Sequence, residues 1–122
     1  ISGSHQELVE HVGRQYGFDD CLGTQYLQSH GRFTGEQIFV ADDKRAALNK
    51  LIKKRSLSLK GSYAVGDSKS DAPMLAMVDN PVAFNPDRNL FDIAQKSGWP
   101  IVIERKNVVY QLDKRSGKYQ LQ

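Results

Sequence analysis

Two carboxylates four residues apart, Asp67 and Asp71, follow the short apolar run Tyr63-Ala64-Val65 in the stretch Gly66-Asp67-Ser68-Lys69-Ser70-Asp71. The run is β-prone and bounded by Gly61 and Gly66, as expected of a buried parallel strand. Asp67 is therefore expected at a strand tip and Asp71 in the first turn of a following helix. Acidic side chains converging at such a tip repel one another unless a cation sits with them. The ion that fits is Mg²⁺, which is held by few carboxylates together with waters and phosphate oxygens. The same spacing suits a helix N-cap at Asp71 and a turn residue at Asp67, and the residues alone leave both readings open. Ser2 and Gly3 offer a hydroxyl and a close backbone approach just before a helix, which makes either an anion site or an ordinary cap. Lys44 opens a longer helix behind Asp42 and Asp43. A cation at that end opposes the helix dipole unless it has a partner, and an anionic ligand or Asp71 would serve.

The elements that must position these residues can be read from periodicity. Ser4 and Glu7 have the spacing of a capping box, and Leu8, Val9, Val12 and Tyr16 recur at helical intervals until Gly17 supplies a stop. Residues 1–4 then read as a strand end feeding that helix. Leu22, Thr24 and Tyr26 alternate with polar neighbours, and Ser29-His30-Gly31 before Phe33 predicts a hairpin or turn. Over 43–55, Ala47, Leu48, Leu51 and Ile52 form one helical stripe, with Gly61 shortly after. Met74, Leu75 and Val78 predict another helix, in which Pro73 is tolerated only in the first turn. Val82-Ala83-Phe84 and Ile101-Val102-Ile103 read as buried strands around a helix carrying Leu90, Phe91, Ile93 and Ala94 and stopped by Gly98. Strand, helix, strand, helix, strand implies an α/β fold with a doubly wound parallel sheet, whose ligands bind at the carboxyl ends of the strands.

Composition narrows the classes. The 122 residues, 39% hydrophobic and 25% charged, suit one domain spanning 1–122 with a core of its own. A single cysteine, Cys21, excludes a disulfide scaffold or a zinc ribbon, and reads as a small buried hydrophobe. No apolar run reaches the roughly 18 residues of a membrane span, the start has no signal-peptide pattern, and a cytoplasmic setting is expected. The net charge of +3 raises nucleic-acid binding. However, Lys50, Lys53, Lys54 and Arg55 read as the solvated, dipole-compensating end of a helix, and Lys114, Arg115 and Lys118 as a polar tail. No nucleic-acid partner and no membrane partner is expected. His5, His11 and His30 match no zinc spacing and are assigned no role.

Taken together, Ile1-Ser2-Gly3-Ser4, Lys44 at a helix start, and Gly66-Asp67-Ser68-x-x-Asp71-x-x-Met74-Leu75 resemble the second, third and fourth motifs of haloacid dehalogenase superfamily phosphatases. The likeness is closest to the phosphoserine phosphatase-like subfamily. Asn85-Pro86-Asp87-Arg88-x-Leu90 and Gly98-Trp99-Pro100 resemble the closing segment of that subfamily. The resemblance places the second motif at 1–5, the third at 44 and the fourth at 66–71. It implies a Rossmann-like hydrolase core in which Ser2 and Gly3 bind a phosphoryl group, Lys44 neutralises its charge and orients the nucleophile, Asp67 ligates Mg²⁺, and Asp71 holds Lys44 or a metal-bound water. The family's nucleophile is the first Asp of an Asp-x-Asp-x-Thr/Val strand, and no such motif occurs in these 122 residues. The chain, which opens without methionine, is accordingly expected to be the carboxyl-terminal part of such a phosphatase, lacking the nucleophile strand and the substrate-selecting cap. Its substrate would be a small phosphorylated metabolite hydrolysed through an aspartyl-phosphate.

Two other classes compete. A non-catalytic module could keep the Mg²⁺ and phosphate pocket for binding alone. The stretch Gly66-Asp67-x-x-x-Asp71-Ala72-Pro73 also resembles the hinge motif of cation-pumping ATPases, but a pump fragment should lack 85–100 and show a membrane helix soon after. Without the nucleophile strand, exposed strand edges predict self-association.

Overall fold

The computed structural model describes residues 1–115 and 118–121. They form two compact units, Ile1–Ser56 and Leu57–Gln122.

The first unit contains helix α1 (Gln6–Tyr16), strands β1 (Gln25–Ser29) and β2 (Arg32–Ile38), a 3-10 turn (Val40–Asp43) and helix α2 (Lys44–Arg55). α1 ends as its glycine predicts, with Gly17 left-handed at φ 72°. Its start differs from the expected capping box: the N-cap is His5, whose Nδ1 accepts the Glu7 N–H at 3.3 Å. Ser4 is excluded from that role because its backbone is engaged elsewhere. The Thr24 N–H donates to the Ser4 carbonyl at 2.7 Å, and the Ser2 N–H to the Leu22 carbonyl at 2.8 Å. Residues 1–5 thus run alongside 22–24 through a single parallel bridge, His5 to Thr24, and form no extended strand. Gly23 makes the close approach possible, since a Cβ there would lie 2.7 Å from the Ser4 carbonyl oxygen. Gly13 plays the same part on α1, where a side chain would overlap the Cys21 sulfur. Cys21 itself is half-buried.

The hairpin predicted around Ser29-His30-Gly31 is present. β1 and β2 are antiparallel with Ser29 opposite Arg32, and His30 and Gly31 both take positive φ, 52° and 75°. Two left-handed residues are what a type I′ turn needs to match the twist of the strands. In α2, Asp43 caps the helix by accepting the Ala46 N–H at 2.8 Å. The helix stops at a left-handed Ser56, before Gly61 is reached. Lys53, Lys54 and Arg55 occupy the last turn, as expected from the dipole, and Arg55 pairs with Asp20 at 3.0 Å.

The second unit is an α/β sheet in the order β3 (Tyr63–Gly66), β4 (Asn80–Phe84), β5 (Ile101–Arg105), β6 (Val108–Arg115), β7 (Lys118–Leu121). β3, β4 and β5 are parallel. β6 and β7 extend the sheet antiparallel, making it mixed. Lys114, Arg115 and Lys118 therefore belong to a hairpin and not to a tail. Helices α3 (Ala72–Leu75) and α4 (Arg88–Ser97) make the two parallel connections. Pro73 lies in the first turn of α3, where its missing N–H costs nothing, and Val78 falls outside that short helix. Gly98 closes α4 at φ 73°.

The core of this unit is Ala72, Leu75, Ala83, Leu90, Ala94 and Ile101, with Ala64, Ile103 and Leu112 packed against it. Because strand side chains alternate between faces, both helices cover the face that carries Ala64 and Ala83. Tyr63 and Val65 point the other way and are 75% and 60% exposed. The strand expected to be buried is instead the edge of its sheet, with β4 as its one neighbour there.

Candidate active site at the carboxyl end of the parallel strands

The loop that leaves β3 is built around one buried carboxylate. Asp71 is 2% exposed. Its Oδ2 accepts the Asp67 N–H at 3.0 Å, the Ser68 N–H at 3.1 Å and the Ser68 hydroxyl at 3.1 Å. With Ser68 as cap, Asp71 completes a reciprocal capping box over the 3-10 turn Lys69–Asp71. The Ser68 hydroxyl lies 2.8 Å from that of Ser70. Burial of a carboxylate is tolerated when hydrogen bonds replace its water, and here three donors do so. Gly66 is required beneath it, since a Cβ at 66 would stand 2.8 Å from Asp71 Cγ and 2.9 Å from Oδ2. The outcome is a tight loop in which Asp71 accepts from Asp67 and Ser68, while the Asp67 side chain is exposed at the strand tip.

A second segment braces this loop from the end of β4. Asn85 adopts φ 43°. Its N–H donates to the Val102 carbonyl at 2.8 Å and its Oδ1 accepts the Glu104 N–H at 2.8 Å, tying β4 to β5. Two residues on, the Asp87 N–H donates to the Asp67 carbonyl at 2.7 Å. The Asp87 carboxylate accepts the Leu90 N–H at 2.7 Å, capping α4, and the Lys69 N–H at 3.1 Å. The Leu90 amide foremost, and then that of Lys69, hold the Asp87 carboxyl below the usual carboxylate range. Sequence reasoning gave Asp87 no part in the site. Its local signals are the position ahead of a helix and its place in the closing-segment motif, neither of which assigns it a task.

Of the residues the sequence nominated, the second unit brings Asp67 and Asp71 together at the carboxyl ends of the parallel strands. Ser2 and Lys44 stand on separate elements of the first unit. Ser2 is half-buried and its hydroxyl accepts the Ser4 N–H at 3.1 Å, so it closes a local turn. Gly3 is fixed next to it, its carbonyl accepting the Thr24 hydroxyl at 2.7 Å. Lys44 is the half-buried first residue of α2. Among the described residues no group of three or more His, Cys, Asp or Glu side chains is placed to hold a metal ion. Nor, among them, is any helix long and apolar enough to cross a membrane.

A family model of haloacid dehalogenase-like hydrolases matches residues 1–76. The chain belongs to that family. It is 34% identical over 109 residues to a histidinol-phosphatase of Neisseria meningitidis serogroup C, covering 84% of this chain and 49% of the relative. It is 36% identical over 104 residues to a phosphoserine phosphatase of Mycobacterium tuberculosis, covering 83% of this chain and 34% of the relative. The chain thus spans half or less of the length of these curated relatives. Among solved structures, the crystal structure of a protein of unknown function from Bordetella pertussis Tohama I superposes with a TM-score of 0.70 at 28% identity, covering 84% of this chain and 48% of that one. Phosphoserine phosphatase in complex with substrate shares the fold, with a TM-score of 0.62 at 23% identity over 75% of this chain and 45% of that one. The family membership matches the family resemblance read from the sequence, and the fold matches the expected α/β core, with an antiparallel hairpin added.

Proposed function

We propose that this chain supplies the phosphate- and metal-binding half of a Mg²⁺-dependent phosphomonoester hydrolase of the phosphoserine phosphatase-like kind, acting on a small phosphorylated metabolite. The observation that carries the reading is the loop 66–71. It is braced by one buried carboxylate, Asp71, and presents the other, Asp67, exposed at the strand tip where ligands of α/β sheets bind. Its donor set fits a Mg²⁺ ion in part: Asp67 would give a carboxylate oxygen, and Mg²⁺ is a hard ion that takes waters and phosphate oxygens beside few carboxylates. When bound, such an ion supplies charge neutralisation at the phosphoryl oxygens. Lys44 would neutralise further phosphoryl charge, Ser2 and the backbone at Gly3 would hydrogen-bond the group, and Asp71 would keep Asp67 aimed. Phosphoryl transfer depends chiefly on such positioning and charge stabilisation. The attacking carboxylate of the family, which forms the aspartyl-phosphate, has no counterpart in the 122 residues, so the whole hydrolase would draw it from another segment.

A second reading, a module that binds Mg²⁺ and phosphate without turnover, differs from the first in needing no attacking carboxylate, which these 122 residues do not contain. Both readings are tested by amide NMR of the ¹⁵N-labelled chain. Millimolar Mg²⁺ should shift the Asp67 and Ser68 amides, and Asp67→Asn should abolish the response. Inorganic phosphate added with Mg²⁺ should move Gly3 and Lys44, with several-fold weaker binding in Lys44→Ala. No response at either set of amides sinks the proposal. The isolated chain should leave para-nitrophenyl phosphate intact, because the attacking carboxylate of the family has no counterpart in these 122 residues. Turnover abolished by Asp67→Asn would contradict that and exclude the binding module.

A further inference from the structure

We propose that Asp87 is a positioning residue for Asp67, fixing the main chain from which the metal-facing carboxylate projects. The inference rests on Asp67 being a metal ligand, and it concerns what holds that ligand still. Both main-chain groups of Asp67 are occupied: its N–H donates to Asp71 Oδ2 at 3.0 Å, and its carbonyl accepts the Asp87 N–H at 2.7 Å. Asp87 then returns to the same loop, since its Oδ2 accepts the Lys69 N–H at 3.1 Å. These two bonds close a ring between 67–69 and 87. The other oxygen, Oδ1, accepts the Leu90 N–H at 2.7 Å, and Leu90 is 0% exposed in the core.

One carboxylate therefore divides its two oxygens between the loop and the first turn of a helix that is anchored in the core. With the main chain of Asp67 gripped on both sides, only its side-chain rotamers are left to vary. A site whose supporting bonds are in place before the ligand arrives loses less ordering entropy on binding. An ordinary N-cap needs a single acceptor. The second bond, to Lys69, has no part in capping α4, and it is the feature that calls for a further role.

Substitution by Asn separates the two duties. Asp87→Asn keeps one acceptor oxygen, enough to cap α4, but its amide nitrogen cannot accept a second N–H. Asp87→Ala loses both bonds. Ala94→Gly weakens the same helix without touching the loop. In amide hydrogen exchange on the 122-residue chain, the Lys69 N–H should exchange about tenfold faster in both Asp87 variants, as expected for one lost hydrogen bond. In Ala94→Gly it should stay near the parent rate. The Mg²⁺ concentration needed to shift the Asp67 amide should rise several-fold in Asp87→Asn while its unfolding midpoint stays close to that of the parent.

Unchanged Lys69 exchange in both Asp87 variants would overturn the inference, as would an equal acceleration in Ala94→Gly. An unaltered Mg²⁺ response alongside accelerated exchange would reduce Asp87 to a structural brace and also refute it. No Mg²⁺ response in the unsubstituted chain would sink the metal reading of Asp67, and with it the positioning role, an outcome recognisable because exchange at Lys69 would still separate the variants.

Discussion

Gly66 and Asp71 occupy one volume. The hydrogen at Gly66 leaves room for a buried carboxylate whose oxygen accepts three hydrogen bonds. Gly66→Ala forces a methyl group against that carboxylate, and overpacking of this kind costs about 1–3 kcal/mol. A urea midpoint lowered accordingly, with displaced Asp67 and Ser68 amide resonances, is the expected result, and an unperturbed spectrum would contradict it. Asp71→Ala removes the acceptor and leaves part-buried donors unsatisfied, at about 1 kcal/mol per lost bond; equilibrium unfolding measures it. That Asp67 and Asp71 lie together was legible from spacing because both belong to one loop, while the spacing left their roles open. The alternative of a structural Asp71 was also partly right, since its carboxylate builds a capping box. Asp87 was not legible: its partner Lys69 lies 18 positions away, and only the fold brings β3 and β4 side by side.

At the level of elements, α3 shows how little local propensity decides. Four residues, one of them Pro73, cannot form a stable helix unaided. What holds them is burial of Met74 and Leu75, 8% and 0% exposed. Leu75→Ala should cost about 2–5 kcal/mol and lower the unfolding midpoint, read by circular dichroism; a loss below about 1 kcal/mol would mean that α3 is held by other contacts. Helix stops at Gly17 and Gly98 and the strands around Val65, Ala83 and Val102 were readable because glycine conformation and apolar runs are local signals. The start of α1 was misread, since the spacing of Ser4 and Glu7 says nothing of Thr24, whose N–H takes the Ser4 carbonyl. The last hairpin was read as a tail because Lys and Arg mask its alternation. The exposure of Tyr63 and Val65 escaped notice for another reason. An apolar strand that borders nothing on one side has the same residues as one in the middle of a sheet.

Across the whole molecule, the residues that the motif resemblance nominates are divided between the compact units: Ser2 and Lys44 in the first, Asp67 and Asp71 in the second. The edge of β3 is the open end of the second sheet, with exposed apolar side chains. Such an edge is a template for pairing with another chain, and lysine on it is a common deterrent. Sedimentation velocity should therefore show concentration-dependent association of the chain, reduced in Val65→Lys; a monomer at all concentrations, or no effect of the lysine, would contradict this. The β1–β2 hairpin offers the opposite kind of feature. Every residue of both strands is exposed, and the turn His30-Gly31 is two residues long. A foreign peptide spliced between His30 and Gly31 would meet no packed neighbour, and each doubling of the inserted length adds only about 0.6 kcal/mol of closure entropy. The tip of that hairpin is thus a place where an epitope or a fluorescent reporter can be carried.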